Sequence, residues 1–368
     1  MSILTLPSQD KSLQQVAEKV IHGERLSIED GLALYASHDL MTIGQLANLV
    51  NQRKNGDNVY FIQNLYINPT NVCEANCRFC GFRRDLGEDG AYTMNKDELL
   101  HYVSSRFHEG IREFHIVGGH NQHESFDYYV ENVRILKEAY PNVTIKAYTG
   151  AEIEFFSRIS GLSFREVIEE LKKAGVESLT GGGAEILTER YREKMSPEKA
   201  STDDWLEAHR VAHQLGMRTH STMLYGSIES MEERLIHMDR VRRLQDETNG
   251  FQVFIPLAMQ PKSVTAGIKR RTSAIDDLKT IAISRLMMDN VQHIKAYFIN
   301  IGTQLTQVSL TMGASDVHGT LIEERISHAV GALTQQSLTV EELVWLIQGA
   351  GKKAIERDTF YNVVKEYE

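Results

Sequence analysis

The chain has 368 residues, 42% of them apolar, and its 40 basic and 50 acidic side chains give a formal charge of −10. A chain of this length buries one large core or two modest ones. The negative balance disfavours a broad nucleic-acid surface, and no apolar run is long enough to span a membrane.

Residues 1–7 are too short, and too polar downstream, for a secretory signal, so the chain is expected in the cytoplasm, where thiols stay reduced. Residues 1–57 read as a helical extension. Ser27 before Ile28-Glu29-Asp30 and Thr42 before Ile43-Gly44-Gln45 resemble capping boxes. Ile43, Leu46, Leu49 and Val50 fall on one helical face.

From about residue 60 strands and helices alternate. Strands are predicted over 60–67, 113–117, 142–148, 176–179, 217–223, 251–256, 293–299 and 306–310. Capping boxes at Asn95, Ser163 and Ser230 start three of the helices between them, and a helix is expected over 274–290. Eight strands alternating with helices imply a parallel sheet. Their span, 58–315, suits a (β/α)8 TIM-type barrel, whose active site lies where the strands end. The Cys73 loop, Gly118-Gly119, Glu152, Glu185 and Thr222 all fall at or just after strand ends. Residues 316–368 read as a helical segment, with a cap at Thr339 and Leu343, Leu346 and Ile347 on one face.

All three cysteines, Cys73, Cys77 and Cys80, fall within eight residues at the spacing C-x3-C-x2-C. An odd count argues against a disulfide framework. Three thiolates leave one corner of a [4Fe-4S] cube open to a small molecule. The alternatives are a structural zinc loop, which would need a fourth ligand from elsewhere, and plain buried thiols. His209 and His213 stand four apart on one helix, a spacing that suits zinc or simple packing. His220 falls inside a strand near the expected barrel mouth, where a substrate contact competes with an ordinary core role. Phe79, Phe82 and Tyr148 are aromatic and near the site, and Phe79 is expected to shield a cluster from water. Tyr66, Arg83, Arg84, Asp85, Arg285, Asp289 and Asn290 are polar near strand or helix ends.

The cysteine spacing resembles that of the radical S-adenosylmethionine (SAM) enzymes. The resemblance implies a [4Fe-4S] cluster on Cys73, Cys77 and Cys80, with SAM on its open iron. Gly118-Gly119-His120 stands where the family carries Gly-Gly-Glu, whose backbone receives the methionyl amino group, so the third residue departs from the pattern. Glycine permits such a close approach. After the glycines 181–183, Glu185 is expected to accept from SAM, and Arg190 or Arg192 to pair with its carboxylate.

The likeness goes further over residues 10–365. Ile67-Asn68-Pro69-Thr70-Asn71-Val72-Cys73, Phe79-Cys80-Gly81-Phe82-Arg83-Arg84-Asp85 and Gly181-Gly182-Gly183-Ala184-Glu185 resemble the menaquinone-pathway members. So do Thr222-Met223-Leu224-Tyr225-Gly226, Leu244–Gln252, Glu323-Glu324-Arg325 and Glu356-Arg357-Asp358-Thr359. Pro69 and the Phe82-Arg83-Arg84 run are similar to the aminofutalosine synthase branch. The sister cyclase branch has tyrosine and a Phe-Tyr-Arg run at those places. The branch implies a radical addition to 3-[(1-carboxyvinyl)oxy]benzoate, with an electron donor such as flavodoxin or ferredoxin. A dicarboxylate needs cationic partners, and Arg83, Arg84, Arg285 and His220 are the candidates. The rival expectations are the cyclase, which abstracts hydrogen, and a zinc-stabilised barrel that catalyses nothing.

Overall fold

Local capping chemistry sets the N-terminal helices of the computed structural model, which describes residues 10–260, 262 and 271–368. The stretch 1–7, read above as lacking a secretory signal, lies outside these residues. α1 (Lys11–His22) starts at Asp10, and α2 (Ile28–Ala36) is closed by the reciprocal box of Ser27 and Asp30. α3 (Leu40–Asn55) is capped by Asp39, three residues before the expected cap Thr42. Asp39 accepts from the Thr42 N–H at 3.0 Å and from its hydroxyl at 2.7 Å, so the carboxylate takes the capping role. α2 packs on the helix Met231–Thr248, and α3 on the helix Ala274–Met287.

Residues 60–67 were expected as one strand. They form two, β1 (Asn58–Ile62) and β2 (Asn64–Ile67), which break at Gln63 and join different sheets. β2 opens a parallel sheet that continues in chain order through β3 (Glu113–Ile116), β4 (Thr144–Thr149) and β5 (Val176–Thr180). It goes on through β6 (Arg218–Tyr225), β7 (Phe251–Ala258) and β8 (His293–Ile294). The strands are buried on both faces, as a parallel sheet covered by helices requires, although buried positions of β3, β4 and β6 carry Glu113, Lys146 and His220. The helices between them start where the sequence places their caps, at Asn95, Ser163 and Ser230.

The eighth stave is not the one expected. Residues 306–309 lie in the helix Thr303–Ser309 with Leu310 as its C-cap, and the strand expected over 293–299 ends at Ile294. Buried Thr306 and Ser309 are three apart, a helical spacing that a five-residue β-branched run conceals. The ring is closed instead by residues 315–322, which include β9 (Asp316–Gly319). On one side Ser315 N–H donates to the Ile294 carbonyl at 2.9 Å, and Ala296 N–H to that of Asp316 at 2.8 Å. On the other, Tyr66 N–H donates to the Ile322 carbonyl at 3.2 Å and Ile322 N–H to that of Asn64 at 3.3 Å. Both edges of the seven-stranded sheet are thereby covered, and the barrel is complete.

The C-terminal stretch is therefore only partly helical. The helix Val340–Gly349 forms behind its Thr339–Glu342 box. β10 (Lys353–Arg357) pairs in parallel with β1, and β11 (Val363–Tyr367) pairs antiparallel with β10. β10 escaped the sequence pattern because its buried positions include Glu356 and Arg357, and β11 because it has no buried position. Among the described residues no helix is long and apolar enough to cross a membrane.

At Gly319 a Cβ would overlap the Ile62 carbonyl oxygen across the β1–β9 pairing. Gly319→Ala is expected to lower stability by about 2 kcal/mol, read as a shift in denaturant midpoint at constant slope.

Candidate active site

The cysteine loop is folded over the end of β2 by its own backbone. Asn71 clamps it: its side-chain oxygen accepts from Tyr92 N–H at 2.8 Å, and its amide donates to the Gly90 carbonyl at 2.9 Å. Cys73 N–H donates to the Arg84 carbonyl at 3.2 Å, and Glu74 N–H to that of His120 at 2.9 Å. As a result Cys73, Cys77 and Cys80 line one cavity of about 300 Å³ at the C-terminal ends of the strands. All three are free of disulfides. Burial pushes the Cys77 thiol up to about 12 and that of Cys73 above its usual value, while the Lys199 ammonium pulls both the other way. Thiols in this state become thiolates only against a cationic centre. Among the described residues no three His, Cys, Asp or Glu side chains are grouped to hold a single metal ion. A zinc ion would draw four ligands to within about 2.3 Å of one point, whereas a cube spreads its thiolates over separate irons. The donor set fits an open-cornered cluster.

Two glycine segments face the thiols. At Gly119 a Cβ would overlap the Val72 carbonyl oxygen, so only glycine lets β3 end against this loop. Gly118 N–H donates to Glu152 at 3.1 Å, and the other oxygen of that carboxylate accepts from Thr149 N–H at 2.8 Å. Burial raises Glu152 to about 7 against these hydrogen bonds. On the other wall Thr222 donates to the Gly181 carbonyl at 2.6 Å, and the Trp205 indole to that of Gly182 at 3.0 Å. Glu185 holds a left-handed backbone, φ 50°, and its carboxylate takes the Lys199 ammonium at 2.8 Å. Burial works against that ammonium, yet Glu185 keeps it charged well above the lysine range.

The deep end is aromatic and basic. His220 lies on β6 and His115 on β3, with Tyr66 stacked on His115 at 4.2 Å between ring centres. Leu224, Ile255, Leu257 and Met259 form an apolar belt between this floor and the thiols.

The cysteines, Phe79, Arg83, Gly118, Gly119, Glu152, Glu185, His220 and Thr222 are thus brought to one cavity, together with Tyr66 and Phe82. Four expected cations are not. Arg285 is fully buried outside it, donating to the carbonyls of Gly313, Val291 and Gln292, each at 3.1 Å. Arg190 pairs with Glu233, its Nε at 2.8 Å. Arg84 turns back onto the carbonyls of Gly81 and Arg83, at 3.0 and 2.7 Å. Arg192 is likewise committed to the Gly183 and Ala184 carbonyls. Asp289 pairs with Arg25, and Asn290 donates to the Arg242 carbonyl, both away from the cavity. Tyr148 donates to the Tyr129 carbonyl within the core. His209 and His213 share the Thr219 hydroxyl at 3.0 and 2.7 Å, which is packing, not metal geometry. Lys199, His115 and His318 went unforeseen. His115 was discoverable, since Glu113 and His115 share one face of a buried strand; Lys199 and His318 carry no local signal.

Residues 67–241 match the family model described as the Radical SAM superfamily, and residues 248–367 match the CofH/MqnC C-terminal region. The aminodeoxyfutalosine synthase of Thermus thermophilus is 49% identical over 364 residues, 98% of this chain and 98% of its own. The chain belongs to the aminodeoxyfutalosine synthase family of radical SAM enzymes. The cyclic dehypoxanthine futalosine synthase of Halalkalibacterium halodurans is less similar, 34% identical over 97% of this chain and 96% of its own. A crystal structure of methylornithine synthase shares the fold, with a TM-score of 0.70 at 20% identity, covering 92% of this chain and 96% of its own. Within this synthase family framework Arg285 is a structural staple. Arg285→Met would leave the Gly313 and Val291 carbonyls without donors, while that of Gln292 keeps the Asn55 amide. It is expected to cost about 3 kcal/mol of stability in denaturant unfolding, with KM unchanged in the folded fraction.

Proposed function

We propose that the chain joins the 5′-deoxyadenosyl group of SAM to the enol-ether carbon of 3-[(1-carboxyvinyl)oxy]benzoate. The products are 6-amino-6-deoxyfutalosine, methionine and one carboxyl carbon released as carbon dioxide or bicarbonate, a step of menaquinone biosynthesis. The observation that carries this reading is the sharing of one cavity by three thiols, two glycine cradles and a basic, histidine-lined floor.

A [4Fe-4S] cluster held by Cys73, Cys77 and Cys80 supplies, when bound, the single electron that cleaves SAM. The chain's own residues do the rest by position. The Gly118–Gly119 backbone receives the methionyl amino group, with Glu152 fixing the Gly118 N–H. Lys199 takes over the carboxylate contact for which Arg190 is out of reach, and Glu185 faces the amino or ribose hydroxyl groups. Thr222 holds the glycine run in place through Gly181. Phe79 covers the thiols, and the Lys199 ammonium stands 5.8 Å from its ring centre. Arg83, whose Nε is buried without a partner although Asp85 holds its other end, faces the enol carboxylate at the rim. The apolar belt holds the arene and keeps water from the reacting carbon. A one-electron donor such as flavodoxin or ferredoxin, and a cytoplasmic location, complete the reading.

The test is anaerobic incubation of the reconstituted enzyme with adenosyl-labelled SAM, a reductant and the enol ether, followed by mass spectrometry. Label in the adduct is expected. Label found solely in free 5′-deoxyadenosine, as hydrogen abstraction would give, overturns the reading, as would a colourless protein that takes up zinc and no iron. Lys199→Met is expected to raise the KM for SAM about tenfold or more, reported by initial rates at fixed enol ether.

A further inference from the structure

His318 is buried on the closing stave with φ 76°, a left-handed backbone that costs a non-glycine residue about 1 kcal/mol or more. The surroundings hold it there. Its N–H donates to Asp316 at 2.6 Å, and Asp316 is in turn gripped by Arg357 at 2.7 Å and by the Tyr361 hydroxyl at 2.9 Å. The imidazole that this backbone presents lines the deep end of the cavity. Its Nε2 lies 2.8 Å from the Tyr66 hydroxyl. Tyr297 bonds to that same hydroxyl, and burial pushes both phenols well above their usual range, so each keeps its proton. With the Tyr66 hydroxyl as donor to Nε2, the proton of His318 stands on Nδ1. That atom is buried and has no partner, and neither has Nε2 of His220 on the same cavity. Two unpartnered imidazole nitrogens thus belong to the lining of one cavity.

The layer beneath them lacks an anion. Lys146, Lys295 and Arg357 are set against Glu113 and Asp316, all at most 1% exposed. Lys146 meets Glu113 at 2.6 Å, whereas the Lys295 ammonium is 3.6 Å from Asp316 and makes no hydrogen bond. The remaining nearby carboxylate, Glu324, is answered by His328 at 2.8 Å.

We propose that His318, set by the Tyr297–Tyr66 relay, and His220 together seat the ring carboxylate of the aromatic substrate above Lys146 and Lys295. The proposal rests on the function given above. The enol ether must face the thiols and the Glu185 wall, so the carboxylate across the meta-substituted ring reaches deepest. His318 and His220 touch the substrate; Tyr66 and Tyr297 are positioning residues. A carboxylate here supplies the missing charge and accepts both open donors.

The experiment compares 3-[(1-carboxyvinyl)oxy]benzoate with 2-phenoxyacrylate, which lacks the ring carboxylate, by KM and kcat on the reconstituted enzyme. Calorimetric binding of 3-methoxybenzoate against anisole reads the seat without any chemistry. His318→Gly accepts the backbone angle and removes the ring. It is expected to raise the KM for the benzoate and the Kd for 3-methoxybenzoate about 30-fold, while moving phenoxyacrylate and anisole less than about threefold. His318→Asn, whose amide reaches the Nδ1 position and tolerates the angle, is expected to restore most of the affinity and serves if the glycine variant fails to fold. Tyr66→Phe is expected to give an intermediate loss confined to the carboxylate-bearing ligands. Equal loss for both members of each pair, or none, overturns the seat. Adduct formation without any dependence on His318 refutes the seat and leaves the function standing. Binding of 3-methoxybenzoate that depends on His318, in an enzyme that forms no adduct, supports the seat and refutes the function.

Discussion

Asp316 holds the barrel shut. Its carboxylate is fully buried and takes Arg357 from β10, the Tyr361 hydroxyl and the backbone N–H of His318, while Lys295 approaches from beyond β8. Burial alone would push such a group up; Arg357 and Lys295 hold it below the usual carboxylate range. A buried ion pair of this kind adds little net stability over an apolar one, but losing a single partner strands the others in a dry interior. Its effect is therefore on register. Asp316 can sit at one place only, and that place lays residues 315–322 against both free sheet edges. The floor of the cavity follows from it, since His318 stands two residues further on.

This explains why the C-terminal region is part of the barrel and not an appendage. β10 carries Arg357, and the turn after it carries Tyr361, whose ring stacks on His293 at 3.9 Å between centres. β11, β10, β1 and β9 form a second small sheet in that order, and β1 leads directly into β2 and the cysteine loop. The thiols at one end of the cavity and the imidazoles at the other are thus fixed by a single stretch of hydrogen-bonded backbone, broken only at Gln63.

What the sequence discloses is what short-range chemistry decides. The boxes at Asn95, Ser163, Ser230 and Thr339 need only residues three apart, and all form as read. The cysteines and both glycine runs sit beside their partners in the chain, and their convergence follows once strand ends share a rim. Asp39 displaced Thr42 because two acceptors lay within reach of one helix start. The closing stave was misplaced because its buried residues include Asp316, His318, Gly319 and Thr320, so neither β alternation nor apolar content marks it. The arginines misled for a related reason. An arginine near a strand end is equally fit for a substrate carboxylate or for backbone carbonyls, and Arg285 and Arg192 took the carbonyls. Lys199 faces the cavity only because the loop after the helix Glu189–Met195 folds back over Glu185, a contact that no spacing encodes.

The cavity has a polar arrangement at each end and an apolar belt between, and that division suits a reaction whose danger lies in its reactivity. An alkyl radical attacks almost any C–H bond within reach, so selectivity has to come from which carbon is nearest. Backbone groups at Gly118 and Gly181 cannot swing as side chains do, and in the proposed reaction they would fix one reactant. The donors at the floor are neutral imidazoles: burial, reinforced by Lys146 and Lys295, drives His220 and His318 well below the usual histidine range. A neutral imidazole orients a carboxylate without surrendering a proton to it, so the ring is held at a fixed depth throughout a sequence in which no proton need move at that end. The charge that attracts the carboxylate sits one layer lower, on Lys146 and on Lys295, which burial brings down to about 7 and a seated carboxylate would raise again. Attraction and orientation are thereby assigned to different residues, and the alkene is left at the one height where the thiol end of the cavity can reach it.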